Sequence, residues 1–201
     1  MSTRQYDAWL VDLDGTLYDA RWVKLAMACE LAVGGWGAVA TLRRFRHAHE
    51  ALRGQLADDE LGPFGMQLAL TARELGVERA VVEARVTTWM IRRPGKWIRM
   101  FRRRSLFREI AAFRATGGRT ALVSDYPATQ KLVALGHPDL FEIVIASGEP
   151  GGPRRLKPAP DGLLAAAELL RVAAPRCLVL GDRDVDQAAA GAAGMAFRLV
   201  P

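Results

Sequence analysis

Two aspartates separated by one residue follow a short apolar run near the amino terminus. Residues 8–11 of this run read as a buried parallel strand, and Asp12 and Asp14 come directly after it. Open α/β sheets bind their ligands beyond the carboxyl ends of the strands. Two carboxylates held together there repel each other unless a cation or a hydrogen-bond network compensates them. The pattern therefore predicts a metal-assisted site in which one aspartate attacks and the other transfers protons.

Several further polar features come just after predicted strands. Gly15 and Thr16 continue the first motif as a tight turn whose backbone donors suit an anion. Ser124 can hold a phosphoryl oxygen, and Lys157 can neutralise an acid and a phosphate. The segment 181–186, Gly-Asp-Arg-Asp-Val-Asp, again places acids at the end of a strand. Each feature alone is common as a turn, a cap or a surface charge. Together they predict that distant clusters meet at one edge of a single sheet.

The arrangement of predicted helices and strands indicates the fold class. Strands alternate with helices in the carboxyl-terminal half, which is typical of a parallel sheet with right-handed crossovers. Those strands are predicted at residues 120–124, 141–146, 177–180 and 197–200. We therefore expect an α/β fold with a Rossmann-like parallel sheet as its core. The core is predicted to comprise residues 1–18 and 102–201, with an all-helical insertion over residues 19–101.

Apolar residues at helical spacing predict which faces of the first helices pack inwards. In the first helix, which should end at Gly34-Gly35, the stripe consists of Trp22, Leu25, Ala26, Cys29 and Ala32. In the second helix it consists of Val39, Leu42, Phe45 and His49. Both cysteines, Cys29 and Cys177, read as small buried hydrophobes, and we expect neither a disulfide nor a zinc site.

The chain has a formal net charge of +6 and a pI of about 9.9, which favours anionic partners. Much of the excess lies in residues 92–104, the basic segment. It reads as a solvated helix face, a phosphate-steering patch, or a contact for nucleic acid or a membrane surface, and charge alone does not separate these. The sequence shows no signal-peptide pattern and no apolar run of 18 residues. We therefore expect a cytoplasmic protein without a membrane span.

The order of the motifs resembles the haloacid dehalogenase-like (HAD) superfamily of phosphotransferases. Residues 12–19 match its DxDGTLxD pattern, and residues 181–195 resemble its GDxxxD…AGxxAGM ending, with Gly181, Asp182, Asp186, Gly194 and Met195 at the expected positions. Ser124 and the pair Lys157-Pro158 fit its two weaker motifs. The helical insertion occupies the position of the first-type (C1) cap in that superfamily.

The resemblance implies a role for each motif residue. Asp12 would be the nucleophile that forms an aspartyl-phosphate, and Asp14 would protonate the leaving oxygen and then activate the hydrolytic water. Ser124 and Lys157 would hold phosphoryl oxygens. A Mg²⁺ ion would be bound by Asp12, the backbone carbonyl of Asp14 and Asp182. Asp186 would either bind the ion directly or contact one of its ligands. Mg²⁺ suits this set because it prefers a few carboxylates with water and phosphate oxygens.

Three residues depart from the pattern of the superfamily. Asp125 follows Ser124 where many relatives carry Asn, and Arg183 stands where Ser or Thr is frequent. Asp184 adds an acid, which leaves open whether Asp184 or Asp186 lies nearer the metal. The spacing to the later glycine motif favours Asp186.

These roles predict a Mg²⁺-dependent phosphatase that hydrolyses a small phosphorylated metabolite. A phosphomutase of the same superfamily shares the core residues and remains an alternative. A dehalogenase fits less well, because such relatives generally lack the second aspartate, which is present here as Asp14. The alternative from another class is a non-catalytic protein that binds nucleic acid or another anion, although nucleic acid is not expected as a partner.

Candidate contacts for the substrate are chosen from position and chemistry. They are Gly15, Thr16, Tyr18, Arg92, Arg93 and Asp125, together with Trp22, Lys96 and Trp97. The sequence leaves open which metabolite is bound and what the oligomeric state is.

Overall fold

A five-stranded sheet, parallel throughout, organises the chain. The computed structural model describes residues 5–201. Its strands are β1 (Ala8–Val11), β2 (Arg119–Ser124), β3 (Ile143–Ala146), β4 (Cys177–Gly181) and β5 (Ala196–Leu199). They lie in the order β3-β2-β1-β4-β5, with β1 at the centre. The register pairs Val11 of β1 with Leu122 of β2 and with Leu180 of β4. The residues that follow these three strands are therefore neighbours at one edge of the sheet.

Helices surround the sheet and fill the long segment between β1 and β2. The helices in that segment are α1 (Ala20–Gly34), α2 (Trp36–Ala51), α3 (Gly62–Leu75), α4 (Arg79–Val86), a π-helical stretch (Thr87–Arg92) and α5 (Gly95–Met100). The later ones are α6 (Arg104–Ala115), α7 (Thr129–Leu135), α8 (Asp161–Leu170) and α9 (Asp184–Ala192), with short 3₁₀ turns at Pro138–Leu140 and Ala174–Arg176. The predicted α/β fold with inserted helices is confirmed, while the division of the chain at residues 19 and 101 stays a prediction. In the part of the chain described, no helix combines the length and hydropathy that crossing a bilayer requires.

The helical segment leaves the sheet and returns to it through two paired stretches of chain. Tyr18 and Arg102 form an isolated antiparallel bridge. Beside it, the backbone N–H of Asp19 donates to the carbonyl oxygen of Phe101 at 3.0 Å. The outgoing and returning chains are thus fastened to each other close to the first aspartate motif.

Alternating side chains of the central strand divide the core between the two faces of the sheet, as strand geometry requires. Leu10 packs with Val179 and with Leu163 of α8 on one face. Val11 packs with Leu122 in a second cluster that extends into the helical segment. All five side chains are buried.

The predicted inner face of α1 is wrong. Trp22 and Leu25 are 53% and 55% exposed, and Cys29 is also exposed. The helix instead buries Val23 and Met27. Both sets repeat at helical spacing, so the periodicity of the sequence identified an apolar stripe but not the one that packs.

The predictions for the second cysteine and for most of the packed face of α2 are confirmed. Leu42, Phe45 and His49 are buried as predicted, whereas Val39 is 43% exposed and does not belong to the packed face. Cys177 is buried in β4, as predicted.

Leu10→Ala should lower the free energy of unfolding by about 2–5 kcal/mol, because it opens a cavity in the central strand. Leu169→Ala removes a half-exposed leucine of α8 and should change stability by no more than about 0.5 kcal/mol. Urea unfolding of both variants measures the difference. Equal destabilisation by the two substitutions would contradict the assignment of Leu10 to the core.

Candidate active site

The buried ammonium group of Lys157 joins residues from three parts of the chain. Its Nζ donates to Oδ1 of Asp12 at 2.7 Å and to Oδ1 of Asp186 at 2.8 Å. It also donates to the backbone carbonyl oxygen of Val123 at 3.0 Å. Asp12, Lys157 and Asp186 are almost completely removed from solvent. Each charge therefore depends on the others for compensation.

The charge states within this group are strongly coupled. Burial raises the pKa of Asp12, and the charge of Asp186 raises it further, while Lys157 opposes both. Burial alone would lower the pKa of Lys157, yet the carboxylates of Asp12 and Asp186 hold it above its ordinary value. A cation next to Asp12 would favour its ionised form, which is the form that can act as a nucleophile.

A third carboxylate, that of Asp182, lies beside Asp12. The Thr16 hydroxyl is within hydrogen-bond distance of both, at 3.1 Å from Oδ2 of Asp12 and 3.3 Å from Oδ1 of Asp182. The turn before Thr16 depends on glycine, because Gly15 has a φ of +110° and a Cβ there would lie 2.1 Å from Oδ2 of Asp182. Thr16 and Asp182, which are 166 residues apart in sequence, can approach each other because Gly15 has no side chain.

These carboxylates fit a divalent cation. Oxygens of Asp12, Asp182 and Asp186 all lie within 4.8 Å of one another. Burial raises the pKa of Asp182, and the nearby charge of Asp186 adds to this effect. In the part of the chain described, the Thr16 hydroxyl is the one donor from another side chain within hydrogen-bond distance of Asp182, so this carboxylate is available to a metal. Oxygen donors of this kind suit Mg²⁺.

Asp186 is engaged differently from Asp182. Its Oδ1 accepts from Lys157, and its Oδ2 accepts from the backbone N–H of Arg183 at 3.2 Å. With both oxygens occupied, Asp186 is better arranged to hold Lys157 in place than to bind an ion directly. Asp184 is exposed on the first turn of α9, so Asp186 is the one of the two acids that lies at the cluster.

Asp14 has a separate cationic partner that the sequence analysis missed. Nζ of Lys131, on α7, donates to both carboxylate oxygens of Asp14 at 2.6 and 2.7 Å. The Tyr18 hydroxyl donates to the same carboxylate. Although burial opposes the effect, Lys131 and Tyr18 together lower the pKa of Asp14. The signal available in the sequence was a lone lysine on the helix that follows β2, which begins at the same edge of the sheet.

Asp125 brings a further negative charge to the site, and the structure surrounds it with nitrogen atoms of lysine, arginine and histidine. Its Oδ1 accepts from the backbone N–H of Lys157 at 3.2 Å. Its Oδ2 lies 3.5 Å from Nη1 of Arg53 and 3.8 Å from both Nε2 of His49 and Nη2 of Arg183. Against the effect of burial, the His49 ring and Lys157 lower the pKa of Asp125 to about 2. Two of the three departures from the superfamily pattern, Asp125 and Arg183, thus face each other.

The helical segment reaches the site through α2 and the turn after it. Nη1 of Arg53 donates to the carbonyl oxygen of Lys157 at 2.6 Å. The buried His49 ring stacks on Tyr126 with the ring centres 4.6 Å apart, and its Nε2 has no hydrogen-bond partner among the described residues. Sequence reasoning had read His49 only as a packing residue and had not singled out Arg53.

The remaining candidate residues differ in their placement. Ser124 ends β2, is buried, and accepts from the backbone N–H of Tyr126 at 3.2 Å. Arg93 pairs with Glu30 at 3.3 Å, and Arg92 is exposed. In the part of the chain described, no hydrogen bond or ion pair joins either arginine to the carboxylate cluster. Contact with a substrate stays a prediction for Gly15, Thr16, Tyr18, Arg92, Arg93 and Asp125.

Comparison with models of protein families identifies the family of this chain. The model of haloacid dehalogenase-like hydrolases matches residues 6–194. The chain belongs to the haloacid dehalogenase-like hydrolase family. This confirms the resemblance drawn from the motifs and places the protein in a class of enzymes. No curated protein matches the sequence.

Solved structures share the fold of this HAD-like hydrolase. β-Phosphoglucomutase from Clostridium difficile superposes with a TM-score of 0.62 at 16% identity, over 96% of this chain and 83% of that one. A predicted phosphoglycolate phosphatase from Haemophilus somnus 129PT gives 0.60 at 18%, over 98% and 85%. L-2-haloacid dehalogenase from Xanthobacter autotrophicus gives 0.64 at 19%, over 97% and 77%. At these sequence identities, the similarity shows that the fold is shared and nothing beyond that.

Asp125→Asn should lower the free energy of unfolding at pH 7 by about 2 kcal/mol, since a pKa depressed by nearly two units is worth that much. The folded-state pKa of Asp125 is about 2 against an ordinary 3.8. The stabilisation is therefore present above pH 3.8 and lost as the pH falls towards 2. Urea unfolding at several pH values should show the gap between variant and parent closing over that range.

The exposed Asp58 provides the control for this prediction. Asp58→Asn should leave stability nearly unchanged at every pH. A gap between Asp125→Asn and the parent that stays constant from pH 7 to pH 2 would contradict the charge compensation described for Asp125.

Proposed function

We propose that this HAD-like hydrolase is a Mg²⁺-dependent phosphatase acting on small organic phosphomonoesters. The observation that carries the proposal is the meeting of Asp12, Asp182 and Lys157. Carboxylate oxygens of Asp12 and Asp182 lie within 4.8 Å of each other, and Nζ of Lys157 donates to Asp12 at 2.7 Å. A second acid, Asp14, follows Asp12 after one residue. This set offers a nucleophile, a site for a cation, a fixed positive charge and a proton carrier. Phosphoryl transfer requires mainly such positioning and charge stabilisation.

In the first half of the proposed reaction, a carboxylate oxygen of Asp12 attacks phosphorus and the bond to the ester oxygen breaks. Asp14 gives its proton to the leaving alcohol, and an aspartyl-phosphate is formed on Asp12. Lys157 balances the charge of Asp12 and stabilises the phosphoryl oxygens. Ser124, at the end of the neighbouring strand, is positioned to hold another of them. Bound Mg²⁺, held by Asp12 and Asp182 with the Asp14 carbonyl, would supply further charge stabilisation of the phosphoryl group.

In the second half, water attacks phosphorus and the bond to Asp12 breaks, which restores the free carboxylate and releases phosphate. Asp14 accepts the proton of the attacking water. Lys131 and Tyr18 favour the ionised form of Asp14, and this is the form that accepts the proton of the attacking water. Asp14 must therefore be protonated before it can act as the acid in the first half of the reaction. The presence of Asp14 is also the feature that favours phosphate esters over haloacids as substrates.

The proposed setting is cytoplasmic. The two cysteines, Cys29 and Cys177, are both free, which is consistent with a reducing compartment. A small phosphorylated metabolite is the proposed substrate, and the cationic groups around Asp125 support an anionic ligand near the site.

Purified protein should release phosphate from a panel of phosphorylated metabolites and from an aryl phosphate, and EDTA should abolish the activity. Asp12→Asn should lower kcat by at least about 10³-fold, because it removes the proposed nucleophile. Asp182→Asn should raise the Mg²⁺ concentration needed for half-maximal rate. The matched control is Asp184→Asn, which changes an exposed acid of the same segment and should leave both quantities nearly unchanged.

Absence of metal-dependent turnover, even of the activated aryl phosphate, would refute the proposal. Analysis of the products from sugar phosphates separates hydrolysis from isomerisation. An isomerised sugar phosphate without net phosphate release would indicate the phosphomutase instead.

Lys131→Met should lower kcat at least about tenfold with a smaller change in KM, since acid–base catalysis contributes ~10²–10⁴ and depends on a fixed geometry. Lys131→Arg, which keeps the charge, should recover part of the loss. The exposed Lys24 offers a control, and Lys24→Met should have no effect on either constant. A Lys131→Met enzyme with the parental kcat would show that Lys131 does not position Asp14.

A further inference from the structure

The solvent-facing side of α1 is largely apolar. Trp22, Leu25 and Val33 are exposed along one side of the helix, Val33 to 88%. Trp36 follows at the start of α2 and is 74% exposed. Exposed leucines and valines occur singly on most proteins, but several large apolar side chains exposed on one side of a helix, a tryptophan among them, are typical of an interaction surface.

A groove continues this surface towards α5. It has a volume of about 650 Å³ and lies between α1 and the chain around α5. Its walls include Trp22 and Leu25 on one side and Trp97 and Phe101 on the other. The Phe101 ring stacks with both indoles, its centre 6.2 Å from that of Trp22 and 6.4 Å from that of Trp97. Met100, 63% exposed, lies one helical turn beyond Trp97 and outside the lining of the groove.

Positive charge is concentrated on the same two stretches of chain. Residues 20–36 and 92–100 together account for five of the six net positive charges of the protein. Six exposed cations provide them: Arg21, Lys24, Arg92, Arg93, Lys96 and Arg99. The single acid, Glu30, is compensated by Lys96 at 2.8 Å and by Arg93 at 3.3 Å. In the described part of the chain, no ion pair involves Lys24, Arg92 or Arg99.

We propose that residues 20–36 and 92–100 form a docking surface for an anionic lipid membrane, on which the enzyme binds peripherally. We call this the α1–α5 surface. Interfacial helices combine a lysine- and arginine-rich polar side with tryptophan and leucine that enter the boundary between headgroups and acyl chains. Each lysine or arginine near an anionic leaflet adds to the attraction. The α1–α5 surface supplies both components on neighbouring helices.

Charge argues against a second copy of this chain as the occupant. A two-fold contact would place the same cationic surface against itself, and the only acid of the surface, Glu30, is already paired. The exposed apolar side chains outside the groove argue against an acidic partner helix. Such a helix would cover the groove but leave Trp36 and Met100, which lie outside its lining, in water. A bilayer interface receives protruding side chains and surrounding cations together.

Co-sedimentation with vesicles tests the proposal directly. The protein should bind vesicles of phosphatidylglycerol and phosphatidylcholine in equal parts, and not vesicles of phosphatidylcholine alone. Binding should weaken as salt is raised, since the charges lie at the surface. The tryptophan fluorescence should shift to shorter wavelength on binding, because Trp22 and Trp36 leave water. These measurements do not depend on phosphatase activity, so the proposal can fail independently of the proposed function.

Two double variants locate the binding surface. Trp22→Ser with Trp36→Ser, and Lys24→Glu with Arg99→Glu, should each weaken vesicle binding by roughly tenfold or more. Their matched controls are Leu164→Ser with Leu169→Ser on α8, and Arg73→Glu with Arg108→Glu on α3 and α6, all of which change exposed residues elsewhere. The controls should bind as the parent does. Circular dichroism and the midpoint of thermal unfolding confirm that each variant is folded.

Three results would overturn the proposal. The first is no binding to anionic vesicles by the parent protein. The second is an equal loss of binding in the surface variants and their controls. The third is concentration-dependent dimerisation, or binding of polyglutamate without binding of vesicles, that the surface variants abolish. That last result would assign the surface to a second copy or to an acidic protein.

Discussion

The ammonium group of Lys157 holds together three buried parts of the chain that would otherwise repel or drift apart. Removing a carboxylate or an ammonium from water costs several kcal/mol per ion, and this cost is met only by close pairing with good geometry. Lys157 meets the condition for Asp12 and Asp186 at once. The backbone on either side of its side chain is also fixed, because its N–H is bound by Asp125 and its carbonyl by Arg53. A segment without helix or strand thereby delivers a cation to a defined point.

Asp12 and Asp14 are separated by one residue but occupy opposite electrostatic environments. Burial and the neighbouring Asp186 raise the pKa of Asp12, whereas Lys131 outweighs burial and lowers that of Asp14. Pairs of acids whose surroundings move their pKa values apart are typical of sites in which one acid reacts and the other carries protons. The end of one strand places the two acids side by side, and the different charges around them, Asp186 beside Asp12 and Lys131 beside Asp14, separate their pKa values.

Sequence reasoning located some site residues from the ends of parallel strands and others, Lys157 and Asp186, from the motif pattern of the superfamily. Asp12, Ser124 and Asp182 come directly after or at the end of strands that pair in register, so their meeting could be predicted from the order of elements alone. Lys131 and Arg53 could not be found in this way, because their approach to the site depends on how helices pack. The error at α1 has a related cause, since two apolar stripes compete on that helix and only tertiary packing chooses between them.

Tyr18 belongs to two structures at once. Its backbone bridges to Arg102 where the helical segment leaves and rejoins the sheet, and its hydroxyl is bound to Asp14. A rotation of the helices about these paired stretches would change the direction of the phenol ring as well. Asp14, the proposed proton carrier, is therefore linked through Tyr18 to the point where the helical segment joins the sheet. The attachment of the helical segment and the surroundings of Asp14 therefore depend on the same residue.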